Sequence, residues 1–108
     1  MMDAEINERI EHEFFGWESG HYDIRDFVHH DGFAVTLLQA LGQHGMYADV
    51  QVRGGAVCVS IFSDHSAGES FTGRPQASFS RAVATTCVAA LRASFSRAVA
   101  TTCVAALP

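Results

Sequence analysis

Histidine is the residue type in this sequence that most suggests metal binding. His29-His30-Asp31 stands close to Asp23 and Asp26, and imidazole and carboxylate groups together make a typical metal-ligand set. No HxxxH, HExxH or CxxC spacing is present, however, so no pattern places two ligands on one face of a helix. The sequence therefore predicts neither a metal site nor a cofactor. The histidines are His12, His21, His29, His30, His44 and His65.

Cysteine is the other candidate for reactivity, because a thiolate beside a base is a good nucleophile. Cys58 falls in a predicted strand with no identifiable base, and Cys87 and Cys103 are one position written twice. This pattern favours reduced, buried thiols over a disulfide framework. Gly54-Gly55 also lacks the GK[ST] or GxGxxG context of a phosphate loop. The chain is predicted not to be an enzyme, and a small metal- or thiol-dependent enzyme is the least favoured alternative.

The first element that would position these side chains is an N-terminal amphipathic helix. Asp3 is placed to cap it, Gly16 to end it, and Trp17 to anchor the following chain in the core. Its apolar residues recur every four positions, so they should face the core while its acidic residues face water. The apolar stripe is Ile6, Ile10 and Phe14, and the acids are Glu5, Glu8, Glu11 and Glu13.

A second helix is predicted after a loop that covers residues 18–30. Asp31 is placed to cap this helix, and Gly42 and Gly45 to stop it. Within the loop, Tyr22-Asp23-Ile24 is at most a short strand. The apolar residues of the helix are Phe33, Val35, Leu37, Leu38 and Leu41.

A β-hairpin is the clearest local pattern. Residues 47–53 and 56–62 alternate in polarity on either side of Gly54-Gly55, a pair typical of a two-residue hairpin turn. That turn sets Val52 opposite Val57, Val50 opposite Val59 and Ala48 opposite Ile61, all on one face. Residues 69–72 are predicted to add a short third strand. On the other face the opposed pairs are Gln51 with Cys58, Asp49 with Ser60, and Tyr47 with Phe62.

The last helix is amphipathic and built from small residues, which allow close packing on a sheet. Its stripe is Phe79, Ala82, Val83, Thr86, Cys87 and Ala90, and Ser78 is placed to cap it. The predicted fold class is therefore α+β: a small antiparallel sheet with helices packed on it in an αββα-type sandwich.

This last helix is written twice, since residues 77–91 recur unchanged as residues 93–107. Residues 1–92 are predicted to form one domain, and 93–108 a duplicate helix that projects or self-associates. The period is sixteen residues, so in an unbroken helix the second stripe is turned by about 160° from the first. The sequence leaves open an unbroken helix or a restart capped by Ser94. The second copy can then meet another chain, fold back, or compete for one groove, and loop entropy favours docking of the first copy.

Charge is distributed unevenly along the chain. Residues 1–31 hold nine acidic and two basic residues, whereas residues 74–108 hold four arginines and no acidic residue. An acidic front half repels phosphate, so nucleic acid is not expected as a partner. No apolar run is long enough to span a bilayer, and the N-terminus lacks the pattern of a signal peptide. The expected location is the cytoplasm of a bacterial host, with no membrane partner.

Three stretches together resemble the phage ABA sandwich domain, a family of small phage-encoded proteins. They are the helix that closes in Gly16-Trp17, the stretch Val57–Phe62, and Arg74-Pro75 followed by the small-residue helix from Phe79 to Leu91. The resemblance covers about residues 1–92 and implies a three-layer helix, sheet, helix arrangement and an origin in a phage or prophage. It implies no catalytic residues, and residues 93–107 depart from the family pattern.

The function expected from these features is protein binding. The leading hypothesis is a non-enzymatic phage accessory protein that binds a host or phage protein, in one version an inhibitor of a host system such as an anti-CRISPR protein. The alternative is a structural module that self-associates, for example as a homodimer, through residues 93–107. In both hypotheses the candidate interaction surface is the second-copy stripe, Phe95, Val99, Cys103 and Leu107.

Overall fold

The computed structural model of the chain describes residues 1–17, 23–63 and 70–106, with residues 93–106 as helix backbone only. Helix α1 spans Asp3–Phe15 and ends at Gly16, whose φ of 70° lies in the left-handed region that glycine adopts freely. The predicted stripe is confirmed, since Ile6, Ile10 and Phe14 are all buried. Asp3, however, is the first helical residue and not the cap, because Met2 occupies the N-cap position. Trp17 is only half-buried.

Helix α2 spans Asp31–Gln43, so it begins one residue earlier than it would if Asp31 were its N-cap. His30 occupies the N-cap position, and its carbonyl accepts the N–H of Ala34 at 3.1 Å. Leu37 and Leu41 are fully buried, so the apolar face of this helix lies in the core. Gly45, with a φ of 71°, then reverses the chain into the sheet.

The sheet consists of strands β1 (Met46–Arg53), β2 (Ala56–Ser63) and β3 (Ser70–Thr72), antiparallel and in the order β1-β2-β3. The predicted hairpin register is confirmed in all six pairs, among them Val50 with Val59 and Tyr47 with Phe62. Gly54 and Gly55 both have positive φ, as the two central residues of a type I′ turn require. The third strand is also confirmed over Ser70–Thr72, and Glu69, the first residue of the predicted strand, lies outside the described residues.

The helices all lie on one side of this sheet. Helix α2 packs on β1, helix α3 (Phe79–Ala106) packs on β2 and β3, and α1 packs across α2 and α3. Val57, Val59 and Ile61 are therefore buried, whereas Tyr47 and Asp49 on the opposite face are exposed. The α+β class is confirmed, but the helix, sheet, helix order implied by the resemblance is not the order observed. Among the described residues no helix covers the second face.

Helix α3 runs without a break through both copies of the duplicated segment, over 28 residues. Ser78 caps it as predicted, since its Oγ accepts the N–H of Arg81 at 3.2 Å. Of the two alternatives left by the sequence, the unbroken helix is thus the one observed, and Ser94 does not begin a new one. No helix in the described ranges is long and apolar enough to cross a membrane.

Candidate interaction site around the last helix

The first copy of the duplicated segment fills the groove between the sheet and the other two helices. Ala82, Val83 and Cys87 of α3 are each fully buried, and Val88 and Ala90 are nearly so. These residues belong to one continuous core cluster with the apolar faces of α1, α2 and β2. Helix α3 contacts α1, α2, β2 and β3, and the buried residues of its first copy lie in this groove.

Three of the four predicted contact residues belong to helix α3, namely Phe95, Val99 and Cys103 of the second copy. Leu107 lies outside the described residues. The proposal that these four side chains form an interaction surface therefore stays a prediction. It rests on sequence identity with a stripe whose apolar character is established by the burial of the first copy.

Arg81 joins the start of α3 to the start of α1. Its guanidinium donates hydrogen bonds to both carboxylate oxygens of Asp3, at 3.1 and 2.9 Å. These hydrogen bonds lower the pKa of Asp3 and raise that of Arg81. Asp3 is thus a clamp between two helices, which is why its carboxylate does not cap α1.

His29 connects this clamp to the loop before α2. Its Nδ1 lies 2.9 Å from Asp26 Oδ2, and its Nε2 lies 3.4 Å from Asp3 Oδ2. Partial burial acts to raise the pKa of Asp26, but hydrogen bonds from Asn7 and His29 outweigh it and leave the pKa lowered. The histidine that most suggested a metal ligand is therefore part of an exposed, hydrogen-bonded cluster of opposite charges. No group of three potential ligands in the described ranges is placed to hold a metal ion.

The other described histidines bind backbone or rings. His12 Nδ1 lies 2.8 Å from the carbonyl of Trp17, and His44 Nε2 lies 3.1 Å from the carbonyl of Phe14. His30 packs edge-on against Phe33. His21 and His65 lie outside the described residues. These contacts stabilise the ends of α1 and α2.

Glu11 was expected to face water, and that expectation is wrong. Its side chain is only 2% exposed and accepts three hydrogen bonds from the Arg25 guanidinium, the shortest at 2.6 Å, and one from the Arg25 backbone N–H. The guanidinium also lies over the rings of Phe15, at 4.3 Å, and Phe27, at 5.1 Å. The carboxylate is tolerated in the interior because the loop brings a cation onto it.

The predicted loop carries core residues that sequence reasoning missed. Phe27 and Val28 are buried, with 0% and 1% of their surfaces exposed. Asn7 Oδ1 accepts the N–H of Val28 at 3.2 Å, and Ser80 donates to its carbonyl at 2.7 Å. The sequence signal for this burial was the adjacent apolar pair Phe27-Val28 in a polar stretch. An isolated pair shows neither helical nor strand periodicity, so the pattern predicted only a loop.

The two described cysteines, Cys58 and Cys87, are partly or fully buried. Cys87 is fully buried, and burial raises its pKa to about 12, so its thiol stays protonated at neutral pH. Cys58 is half-buried and donates a hydrogen bond from Sγ to the carbonyl of Gly73, 3.4 Å away. A side chain at Gly73 would overlap Thr86 of α3, so glycine permits the close approach of β3 and the helix.

Two cavities adjoin the docked part of α3. One of about 310 Å³ lies against the end of β3 and includes Phe71, Arg74 and Thr85 in its wall. The other, of about 220 Å³, lies towards α1 and includes Met1 and Thr85. Both are at or below the lower end of the roughly 300–1,000 Å³ range of small-molecule pockets.

Comparison of the chain with family models, with curated protein sequences and with solved structures found no match.

Proposed function

We propose that this chain is a non-enzymatic accessory protein that acts by binding another protein, through the second copy of the duplicated helix. The observation that carries the proposal is the burial of the first copy in the groove. Val83 and Cys87 already fill the space into which an identical helix would dock. The second copy has the same apolar residues, and the groove that fits them is already filled by the first copy, so a second protein is the natural site for their burial.

The chemistry of the described side chains supports a binding role over catalysis. Asp3, Glu11 and Asp26 are held in hydrogen bonds to Arg81, Arg25 and their neighbours, and the Cys87 thiol is buried. The buried Glu11 and Cys87 cannot reach a substrate, and the partly exposed Asp3 and Asp26 are engaged in contacts that stabilise the fold.

The exposed acids support a protein partner over nucleic acid. Glu5, Glu8 and Glu13 remain on the outer side of α1, away from the sheet. A phosphate backbone would be repelled by this side of the molecule, whereas a protein with basic residues would be attracted. Origin in a phage or prophage, and hence action in the cytoplasm of a bacterial host, rests on the resemblance to the phage ABA sandwich domain. An inhibitor of a host system, such as an anti-CRISPR protein, is the narrower form of the proposal.

Affinity capture from host lysate tests this function with matched variants. The full chain is compared with Val99→Asp, which places a charge in the second-copy stripe, and with a chain ending at Arg92. The proposal expects a protein captured by the full chain in stoichiometric amount, and lost from both variants while their circular dichroism stays that of a folded α+β protein. Equal capture by all three would overturn it.

Self-association through the second copy is the alternative use of the same stripe. It follows from the same filled groove, with a second copy of this chain as the partner. The molar mass of the purified full chain, measured by light scattering, separates the two. A dimer that Val99→Asp converts to a monomer identifies self-association through the second copy, whereas a mass that Val99→Asp leaves unchanged, together with a captured partner that this variant loses, identifies the proposed function.

A further inference from the structure

The outer edge of β1 is long and is not paired with any strand of the described ranges. Strand β1 has eight residues, Met46–Arg53, and lies at one end of the order β1-β2-β3, where no described strand pairs with its outer side. Its pairing with β2 is continuous, without a bulge, and it contains neither proline nor lysine. Bulges, proline and lysine are among the devices by which monomeric proteins block their sheet edges, and the charged residues that β1 does carry, Asp49 and Arg53, are of opposite sign. The opposite edge strand, β3, is by contrast only three residues long.

Strand β1 also carries exposed apolar side chains. Tyr47, Val50 and Val52 of β1 are 51%, 38% and 68% exposed. Val35, which is 46% exposed, belongs to α2, the helix that packs on β1. Four of the seven exposed large hydrophobic residues of the described chain thus belong to β1 or to the helix that covers it. A surface of this kind marks an interaction site when it coincides with unpaired backbone.

The backbone groups that face this edge are identifiable. Val57 and Val59 of β2 bond away from β1, to the backbones of Gln76 and Gly73. Their partners in β1, Val52 and Val50, are therefore in non-hydrogen-bonded pairs, and their own N–H and C=O groups point outwards. An added antiparallel strand must form its backbone hydrogen bonds with these even-numbered residues of β1. If the added strand is β1 of a second copy, each even-numbered residue therefore lies opposite an even-numbered residue of the other copy.

Charge then selects the register and the partner. Asp49 and Arg53 lie two positions on either side of Gln51, on the same face of β1, and neither makes a salt bridge within the described residues. We propose that β1 pairs antiparallel with β1 of a second copy of this chain, about a two-fold axis at Gln51, so that Asp49 of each copy faces Arg53 of the other. The two sheets then form one continuous six-stranded sheet.

This register satisfies backbone and side chains together. Val50 of one copy lies opposite Val52 of the other in a hydrogen-bonded pair, and both are shielded from water on the helix side of the sheet. An axis at Asp49 or at Arg53 would set like charges opposite each other, and an axis at Val50 or Val52 would leave the charges without opposed partners. This dimer is distinct from association through the second copy of the duplicated segment, because its interface includes neither Phe95 nor Val99.

Charge reversal in the full chain tests the pairing by sedimentation equilibrium. Asp49→Arg and Arg53→Asp each replace two attractive cross-strand pairs with two repulsive ones, and each should weaken the dimer about tenfold, which is about 1.4 kcal/mol. The double variant Asp49→Arg/Arg53→Asp restores opposite charges and should restore the dimer. Val99→Asp serves as the matched control and should leave the mass unchanged. A monomeric wild-type chain at millimolar concentration, or a double variant no tighter than the single ones, would overturn the proposal.

Disulfide cross-linking tests the register. In a Cys58→Ser/Cys103→Ser background, Gln51→Cys places two thiols face to face at the two-fold axis, and mild oxidation should give a covalent dimer. Val50→Cys in the same background should cross-link far less, because its opposed residue is Val52. Preferential cross-linking through Val50→Cys would refute the axis at Gln51. Loss of the dimer on Val99→Asp with no effect of charge reversal would assign association to the duplicated helix instead.

Discussion

An aspartate in place of Val83 tests how the two identical helical copies share one groove. Val83 is fully buried, so the aspartate carboxylate would lie in the core without a partner. In a chain that ends at Arg92, nothing relieves that cost. In the full chain the second copy can dock instead, since it supplies an unaltered Val99 together with Ser96 and Arg97 in place of Ser80 and Arg81.

The magnitudes separate these two cases. An unpaired buried charge costs about 4 kcal/mol or more, a large part of the total stability of a small domain. Exchange of the copies lengthens the connection between Gln76 and the docked helix from two residues to about eighteen, which costs about 2 kcal/mol in loop-closure entropy. We therefore expect Val83→Asp to unfold the short chain but to destabilise the full chain by only about 2 kcal/mol.

Thiol labelling reads out which copy is docked. In the wild-type chain Cys87 should be protected from iodoacetamide and Cys103 should react, and in Val83→Asp the pattern should reverse. Trypsin releases the two cysteines in peptides 82–92 and 98–108, which differ in mass because one ends in Arg92 and the other in Pro108. Equal loss of stability in the short and full chains, with Cys87 still protected, would refute exchange. Val99→Asp is the control and should change urea denaturation little.

Three further outcomes are expected from urea denaturation. Arg25→Ala leaves the buried Glu11 carboxylate without its cation and should cost about 2–3 kcal/mol, whereas Arg9→Ala, which removes an exposed pair, should cost less than about 0.5 kcal/mol; equal losses would contradict the role of Arg25. Thr86→Val should stabilise by about 1 kcal/mol, because Thr86 Oγ1 is buried without a hydrogen-bond partner among the described residues; a loss above about 1 kcal/mol would reveal a hydroxyl contact. The pKa of Asp3 lies below its ordinary value of 3.8, so its stabilisation is present above that pH and lost as the pH falls through the folded-state pKa. Asp3→Asn should therefore flatten the acid limb of the stability profile, and an unchanged limb would contradict this.

Local patterns predicted the elements well where each element could be read from its own residues. The hairpin register follows from two glycines and the alternation around them, and pairs such as Val52 with Val57 are confirmed. The four-residue stripe of α1 and the cap at Ser78 are confirmed for the same reason. Each of these features depends on neighbours within a few positions along the chain.

The polar residues of the site were less predictable, because their partners are distant in sequence. Glu11 is buried only because Arg25 reaches it from the loop, and Asp3 leaves its capping role for Arg81, 78 positions away. Neither contact has a local signature, since a glutamate or aspartate near the start of a helix is ordinarily solvated or a cap. The burial of Phe27 likewise depends on a loop packing between helices.

The sequence by itself determined that one helix is written twice and, through the sixteen-residue period, that two copies in one helix present their stripes about 160° apart. The contacts of the two copies could not decide which one enters the core, because identical residues offer the sheet identical contacts, and only loop entropy favoured the first copy. Tertiary structure decided that, through the short connection from Gln76 to Phe79, which places the first copy over β2. It also decided that the described helices cover one face of the sheet and that no described strand pairs with the outer edge of β1, since layer order depends on how the elements pack and not on any one of them.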